Sequence, residues 1–318
     1  MNIFLYILAL LLAATVGIFA HRAGICTFAA VKELLDGKQP NMLLSFLKII
    51  LWVMAVMIAF KWIAPAIVQT PATWRLSIST IISGLIFGIG VAVNRGCAIS
   101  TLRNLADGRF AIIGTFAGMY LGIALYRLAE ASLSLPQPTA NAPILNPAGP
   151  RALALLGLLG VWILWEVVTW FRTRGIDSRS RQLALAAAFI GISNGILFAV
   201  VGAWMYTGLF RQHADFVFGN AEAPRPLLWL LFVSVLAGMV LSSVRTGKFR
   251  AQFNATGLVR HLSGGLLMGV GAASIPGGND VLMLHGIPGF SYHAVPTFLA
   301  MLAGIALTLL AGRVGVRS

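Results

Sequence analysis

Apolar residues run through this chain in blocks of about 17–25 residues, parted by short stretches that hold nearly all of the charge. A helix of that length crosses the hydrocarbon core of a bilayer, about 30 Å thick. The pattern predicts nine spans, at 3–20, 42–60, 77–93, 110–127, 152–171, 183–201, 227–244, 261–275 and 294–312. Four shorter apolar segments remain, at 24–31, 97–105, 203–210 and 281–287. They are too short to cross and predict re-entrant or interfacial half-helices. The expected fold is an all-α polytopic membrane protein, with residues 1–318 forming a single integral membrane domain.

The pattern repeats. Residues 84–97 read GLIFGIGVAVNRGC and residues 265–278 read GLLMGVGAASIPGG. Gly84, Gly88, Gly90, Gly96 and Gly108 match Gly265, Gly269, Gly271, Gly277 and Gly289 without a gap. After one inserted residue, TFAGMYLGIAL at Thr115–Leu125 matches TFLAMLAGIAL at Thr297–Leu307. A weaker echo links Gly17, Ile18 and Gly24 to Gly195, Ile196 and Gly202. Each matched pair of spans is five crossings apart, so the copies have opposite orientation. The expectation is two inverted repeats, about 3–127 and 183–312, joined by a linking helix at 152–171. Such repeats place a binding site between broken helices near the midplane.

Loop charge orients the chain. Arg172, Arg174, Arg179 and Arg181 crowd one loop; Arg245, Lys248, Arg250 and Arg260 crowd another. The positive-inside rule makes both cytoplasmic. Nine spans then put Arg22, Arg95, Arg103, Arg109, Arg313 and Arg317 inside, the Pro-rich stretch 131–150 outside, the N-terminus outside and the C-terminus in the cytoplasm. The leading apolar stretch lacks a basic n-region, which argues against a cleaved signal peptide. Composition agrees with a membrane protein: 58% of residues are hydrophobic and 10% charged, against about 25% charged in soluble domains. The net charge of +14 is explained by topology, so no nucleic-acid partner is implied.

The breaks between spans hold the candidate chemistry. Cys26 lies in AHRAGICTFAA after the first span and Cys97 in NRGCAIST after the third. Each follows a glycine and trails an arginine, Arg22 or Arg95, which are candidates for attracting an anion. Amides at the start of a half-helix favour negative charge. A neutral thiol adds a weak donor and a polarisable surface. In the matching break of the second copy, Gly277, Gly278 and Asn279 take these places, and the Asn279 amide offers a donor where a thiol is missing. Asp280 is expected to cap the next half-helix at Val281–Leu284, with proton coupling as the sharper alternative. Glu166 is expected to pair with Arg172, and Lys48 to snorkel. Two cysteines outside any metal spacing, and two histidines (His285 and His293) without a partner set, imply neither a metal site nor a cofactor.

The segments HR-x-G-x-C at His21–Cys26, G-x-G-x(5)-GC at Gly88–Cys97 and IPGGND at Ile275–Asp280 resemble the YeeE/YedE sulphur-transport family of bacterial inner-membrane proteins. The resemblance covers essentially the whole chain. It implies uptake of thiosulfate or a related sulphur or selenium oxyanion along central cysteines, at positions matched here by Cys26 and Cys97, with the third cysteine absent at Gly278. A membrane thiol or persulfide enzyme, or a sulphur-relay subunit working with a cytosolic sulphur-carrier protein, is the alternative. No nucleotide-binding loop, haem ligand pair or catalytic triad favours an enzyme. The implied partners are the lipid bilayer, a small sulphur-containing anion and such a carrier.

Overall fold

The computed structural model describes residues 3–69, 72–133, 139–172 and 178–314. Arg174 and Arg317, used above to orient the chain, lie outside them. In chain order the helices are α1 (Ile3–Ala23), α2 (Thr27–Leu35), α3 (Asn41–Ile63), α4 (Ile78–Asn94), α5 (Ala98–Ala106) and α6 (Ile113–Leu133). There follow α7 (Pro150–Arg172), α8 (Ser178–Val201), α9 (Tyr206–Val217), α10 (Pro226–Arg245), α11 (Ala255–Ser274), α12 (Asn279–Val281) and α13 (Ala294–Val314). A π turn at Leu282–Gly286 extends α12. No β-strand occurs among the described residues; two isolated bridges join Trp74 to Ala140 and Arg109 to Gln252. The protein is an all-helical, multi-pass membrane protein. Eight helical stretches are long and apolar enough to cross, and α11 with α12 makes a ninth when that pair, bent by 50°, is counted as one.

Local sequence sets the helix ends. Ser77 and Thr80 form a reciprocal capping box at the start of α4, and the Asn254 side chain accepts from the amides of Thr256 and Gly257 to open α11. Pro226 begins α10, where its missing N–H is of no consequence. The four short segments all become helical, with one difference. α9 runs on to Val217 because its polar second half finds partners: Asp215 meets Arg127 at 2.6 Å and His213 meets Tyr120 at 2.9 Å. Hydropathy has no view of such pairing.

Glycines seat the long helices on one another. A Cβ on Gly88 would overlap the Met301 carbonyl, and one on Gly269 would overlap that of Met119. Likewise Gly304 rides on the Leu85 carbonyl and Gly122 on that of Leu266. These four contacts exchange under the sequence repeat, which pairs Gly88 with Gly269, Met301 with Met119, and Gly304 with Gly122. Helix pairing follows the same exchange: α6 packs on α11 as α13 packs on α4, and α1 on α10 as α8 on α3. The linking helix α7 stands to one side against α3. Glu166 on α7 pairs with Lys48 of α3, at 2.5 Å, because the α3–α7 packing carries that lysine across the acid; the side chain of Arg172, its expected partner, lies outside the described residues.

The loops segregate by charge. On one face Arg313 pairs with Asp36, Arg179 with Glu33 at 3.0 Å, and the backbone of 107–110 with that of Arg250 and Gln252. His21 of α1 bonds Asp107 at 2.8 Å and Ser242 of α10 at 2.9 Å, while Ser243 donates to Asp107 at 2.7 Å. Burial works to raise the Asp107 carboxyl, but the His21 and Ser243 hydrogen bonds outweigh it and hold the group below its ordinary range. The opposite face gathers the sparsely charged loops, where the Trp74 amide donates to the Ser291 hydroxyl and the Ile144 amide donates to the Phe290 carbonyl.

Candidate functional site

Four breaks in the helices meet at one place. The residues that open the short helices are Cys26, Cys97, Met205 and Gly278. Each break turns where the backbone permits it: Gly24 and Gly202 have φ of 67° and 90°, and Gly277 has φ of 122°, values that a side chain rarely allows. The first two breaks follow helices that end on the basic face, and the other two follow helices that end on the opposite face.

The four tips are hydrogen-bonded to one another. The Thr27 amide donates to the Cys97 sulfur at 3.4 Å. Asn279 donates to the Thr27 hydroxyl at 2.9 Å and accepts from the Ala98 amide at 3.2 Å. Tyr206 donates to the Ala98 carbonyl at 3.1 Å. The Gly278 amide donates to the Thr207 hydroxyl at 2.7 Å, and that hydroxyl donates to Asp280 at 2.5 Å. Both cysteines are free and buried, and the amide of Thr27, the residue after Cys26, sets the first break directly against the Cys97 sulfur. Cys97 and Thr207 are fully buried, so the tips form a closed neck.

Asp280 corrects one expectation. The half-helix starts earlier than Val281, with Gly278 as its cap, so Asp280 lies inside the first turn and its carboxylate crosses to α9. Asn279 binds two other breaks. Gly96 passes its carbonyl to the Asn94 amide at 2.9 Å. Gly277 supplies the turn, and a Cβ on it would collide with Val281.

A cavity lies on each side of the neck. The one towards the basic face, about 410 Å³, is lined by Cys26 and by Arg22, Arg95, Arg103, Arg179 and Lys248. The other, about 330 Å³, contains Trp74, Met205, Arg211, Asp215, His285 and His293, with Arg211 paired to Asp215 at 3.6 Å. There the Arg211 guanidinium stacks 5.9 Å from the Trp74 ring centre. His285 is buried with neither ring nitrogen hydrogen-bonded, and His293 leaves Nε2 unbonded while Nδ1 meets the Ser291 hydroxyl at 2.8 Å. Burial pushes His293 down to about 4, so its ring is neutral near pH 7.

The arrangement thus offers a cluster of cations at the basic mouth, an Arg211–Asp215 pair at the other, and neutral donors (amides, hydroxyls, thiols) in between. No cluster of three metal-ligating side chains occurs among the described residues. The sequence reading brought Cys26, Cys97, Gly278 and Asn279 to one site and missed Thr27, Thr207, Tyr206 and Met205. Thr207 and Tyr206 follow the weakly echoed third break and lie in the short apolar segment 203–210, signals that marked the segment without singling them out. Arg211 carried no signal, since it becomes a vestibule residue only once α9 has folded.

Residues 22–307 match a protein family described as sulphur transport. The chain is also 24% identical, over 310 residues, to the thiosulfate transporter TsuA of Spirochaeta thermophila. That alignment covers 88% of this chain and 90% of the relative.

Proposed function

We propose, on the premise that the chain belongs to the sulphur-transport family, that it passes thiosulfate or a related sulphur or selenium oxyanion through the neck beside Cys26 and Cys97. The observation that carries this reading is the meeting of four helix breaks between two cavities, the one on the basic face lined by four arginines and a lysine. Arg211, with the His285 ring and the free Nε2 of His293, receives the anion at one mouth. At the neck the amides opening α2 and α5, the two thiols and the Asn279 amide replace part of its hydration shell. These donors are neutral and weak, so the anion is held loosely enough to leave. Arg22 and Arg95 draw it into the second cavity.

The two halves are inverted repeats, a reading supported by the exchange of glycine contacts and by the helix pairing. The protein sits in a bacterial inner membrane with its N-terminus outside and its basic face in the cytoplasm. Asp280, buried beside the neck, is the group through which a proton would couple to transport.

The test is uptake of thiosulfate, sulfite, sulfate and selenite into proteoliposomes, with and without a proton gradient. Cys97→Ala is expected to lower uptake of the preferred anion by about tenfold or more, a loss of about 1.4 kcal/mol at the transition state. Unchanged uptake would remove Cys97 from the path, and failure with every sulphur anion would remove the function.

Two free cysteines at adjoining breaks favour one second reading. Thiol attack on the outer sulfur of thiosulfate would leave a persulfide on the cysteine and release sulfite, and a cytosolic sulphur carrier at the basic face would collect that sulfur. Sulfite release, with one sulfur gained on Cys26 or Cys97, marks this route; intact thiosulfate inside the liposomes marks transport.

A further inference from the structure

A third cavity, about 370 Å³, lies beside the cysteine path on the basic face. It is walled by the end of α4, the turn after α5, the 252–254 segment and the first turns of α11. Three arginines from three separate elements line it, Arg95, Arg109 and Arg260, together with the side chains of Asn104, Asn254 and His261, and no carboxylate is among its lining residues. The Arg260 Nε is shielded from solvent and has no hydrogen-bond partner. Arg95 and Arg260 are close enough to repel. Arg109 reaches Asn104 and Arg260 reaches His261, each at 3.4 Å; a pocket of guanidinium groups lined by no carboxylate is a receptor for an oxyanion.

Arg95 also lines the cysteine-side cavity, so it is the wall shared by the two. Its backbone is left-handed, φ 56°, where glycine is usual, yet a guanidinium stands at this spot. A second link runs through Asn94, which meets His261 of the side cavity at 2.6 Å and donates to the Gly96 carbonyl at 2.9 Å, one residue before Cys97.

We propose that this side cavity is a regulatory site for a small phosphate- or sulfate-bearing ligand, which draws Arg95 away from the cysteine-side cavity and slows passage of the transported anion. The regulatory part rests on the transport reading above; the binding part does not. A vestibule that loses one of its cations attracts an anion less well. A free metabolite and a lipid headgroup share this chemistry, and the experiment separates them.

Full-length protein is reconstituted into nanodiscs of zwitterionic lipid alone, and binding of pyrophosphate and of adenosine 5′-monophosphate is measured by calorimetry. At least one probe is expected to bind. The double variant Arg109→Gln/Arg260→Gln should weaken it about tenfold or more, while Arg103→Gln, which alters only the vestibule, and Arg260→Lys, which keeps the charge, retain it. Binding by neither probe, or binding indifferent to the double variant, overturns the site. If phosphatidylglycerol in the nanodisc abolishes probe binding at matched ionic strength, the occupant is a lipid headgroup and the metabolite proposal fails. In the second arm, liposomes with the basic face inward are loaded with the bound probe. Uptake is expected to fall about threefold or more in the wild type and to stay unchanged in the double variant. Unaltered wild-type uptake refutes regulation but leaves transport standing. Absence of uptake without any probe refutes the transport reading and the regulation that rests on it, and the binding arm still decides the site.

Discussion

Asn279 bonds to two of the other breaks, to Thr27 on one side and Ala98 on the other. Asn279→Ala leaves a buried amide and a buried hydroxyl without those partners, which costs about 1–3 kcal/mol; the unfolding midpoint of the purified protein measures it. Asn279→Asp keeps the acceptor for Ala98 and places a negative charge in the neck. Uptake of a dianion should then fall about tenfold or more, and uptake at the wild-type rate would take Asn279 out of the path. His293 sets a pH dependence. Its ordinary value of 6.5 is pushed by burial to about 4. As pH falls through that window the unfolded chain binds a proton that the native state refuses, so stability declines. His293→Gln, which preserves a partner for Ser291, should flatten this decline in a melting-temperature profile; an undiminished slope would assign it to other groups. The cysteines and Asn279 were legible from sequence because each marks a glycine-rich break in an apolar run. Thr27 and Thr207 were not, since a threonine beside a break looks like any small residue until another chain segment reaches it.

Among the elements, helix existence was almost wholly legible and helix pairing was not. Apolar length alone located the long helices to within a few residues, because a bilayer demands about 20 apolar residues per crossing. The glycines foretold close packing, but their partners, such as the Met119 carbonyl for Gly269, belong to a helix far away in sequence. The seam between α6 and α11 is the most sensitive of these. A Cβ on Gly122 would overlap the Leu266 carbonyl, so Gly122→Leu must force the helices apart and should destabilise the protein by about 1–3 kcal/mol or more. Gly157 on α7 has open space around it, and Gly157→Leu should be tolerated. Detergent unfolding of the two variants tests the contrast, and equal stability would refute the seam. The pairing of Glu166 with Lys48 teaches the same point: an acid in an apolar helix announces a partner without naming it.

At the scale of the whole molecule, the strongly basic loops share one face and the sparsely charged loops the other, with the closed neck between them. Single cysteines introduced in a Cys26→Ser/Cys97→Ser background at Thr246 and Ala142 should therefore react with a membrane-impermeant maleimide from opposite sides. Labelling of both from one side would overturn the topology. Closure of the neck also implies that passage needs the tips to part, since Cys97 has no exposed surface. Sequence by itself determined that this is a helical membrane protein, where its helices run, which glycines recur, and that two cysteines stand at breaks. Those properties follow from the chain's own hydrophobic periodicity and from the demand that backbone in lipid be hydrogen-bonded within helices. Only the tertiary structure decided that four breaks meet, that Asn279 and Thr207 tie them together, and that Arg95 stands between two cavities. Such meetings join residues as far apart as Thr27 and Asn279, and packing rather than local pattern brings them within 3 Å.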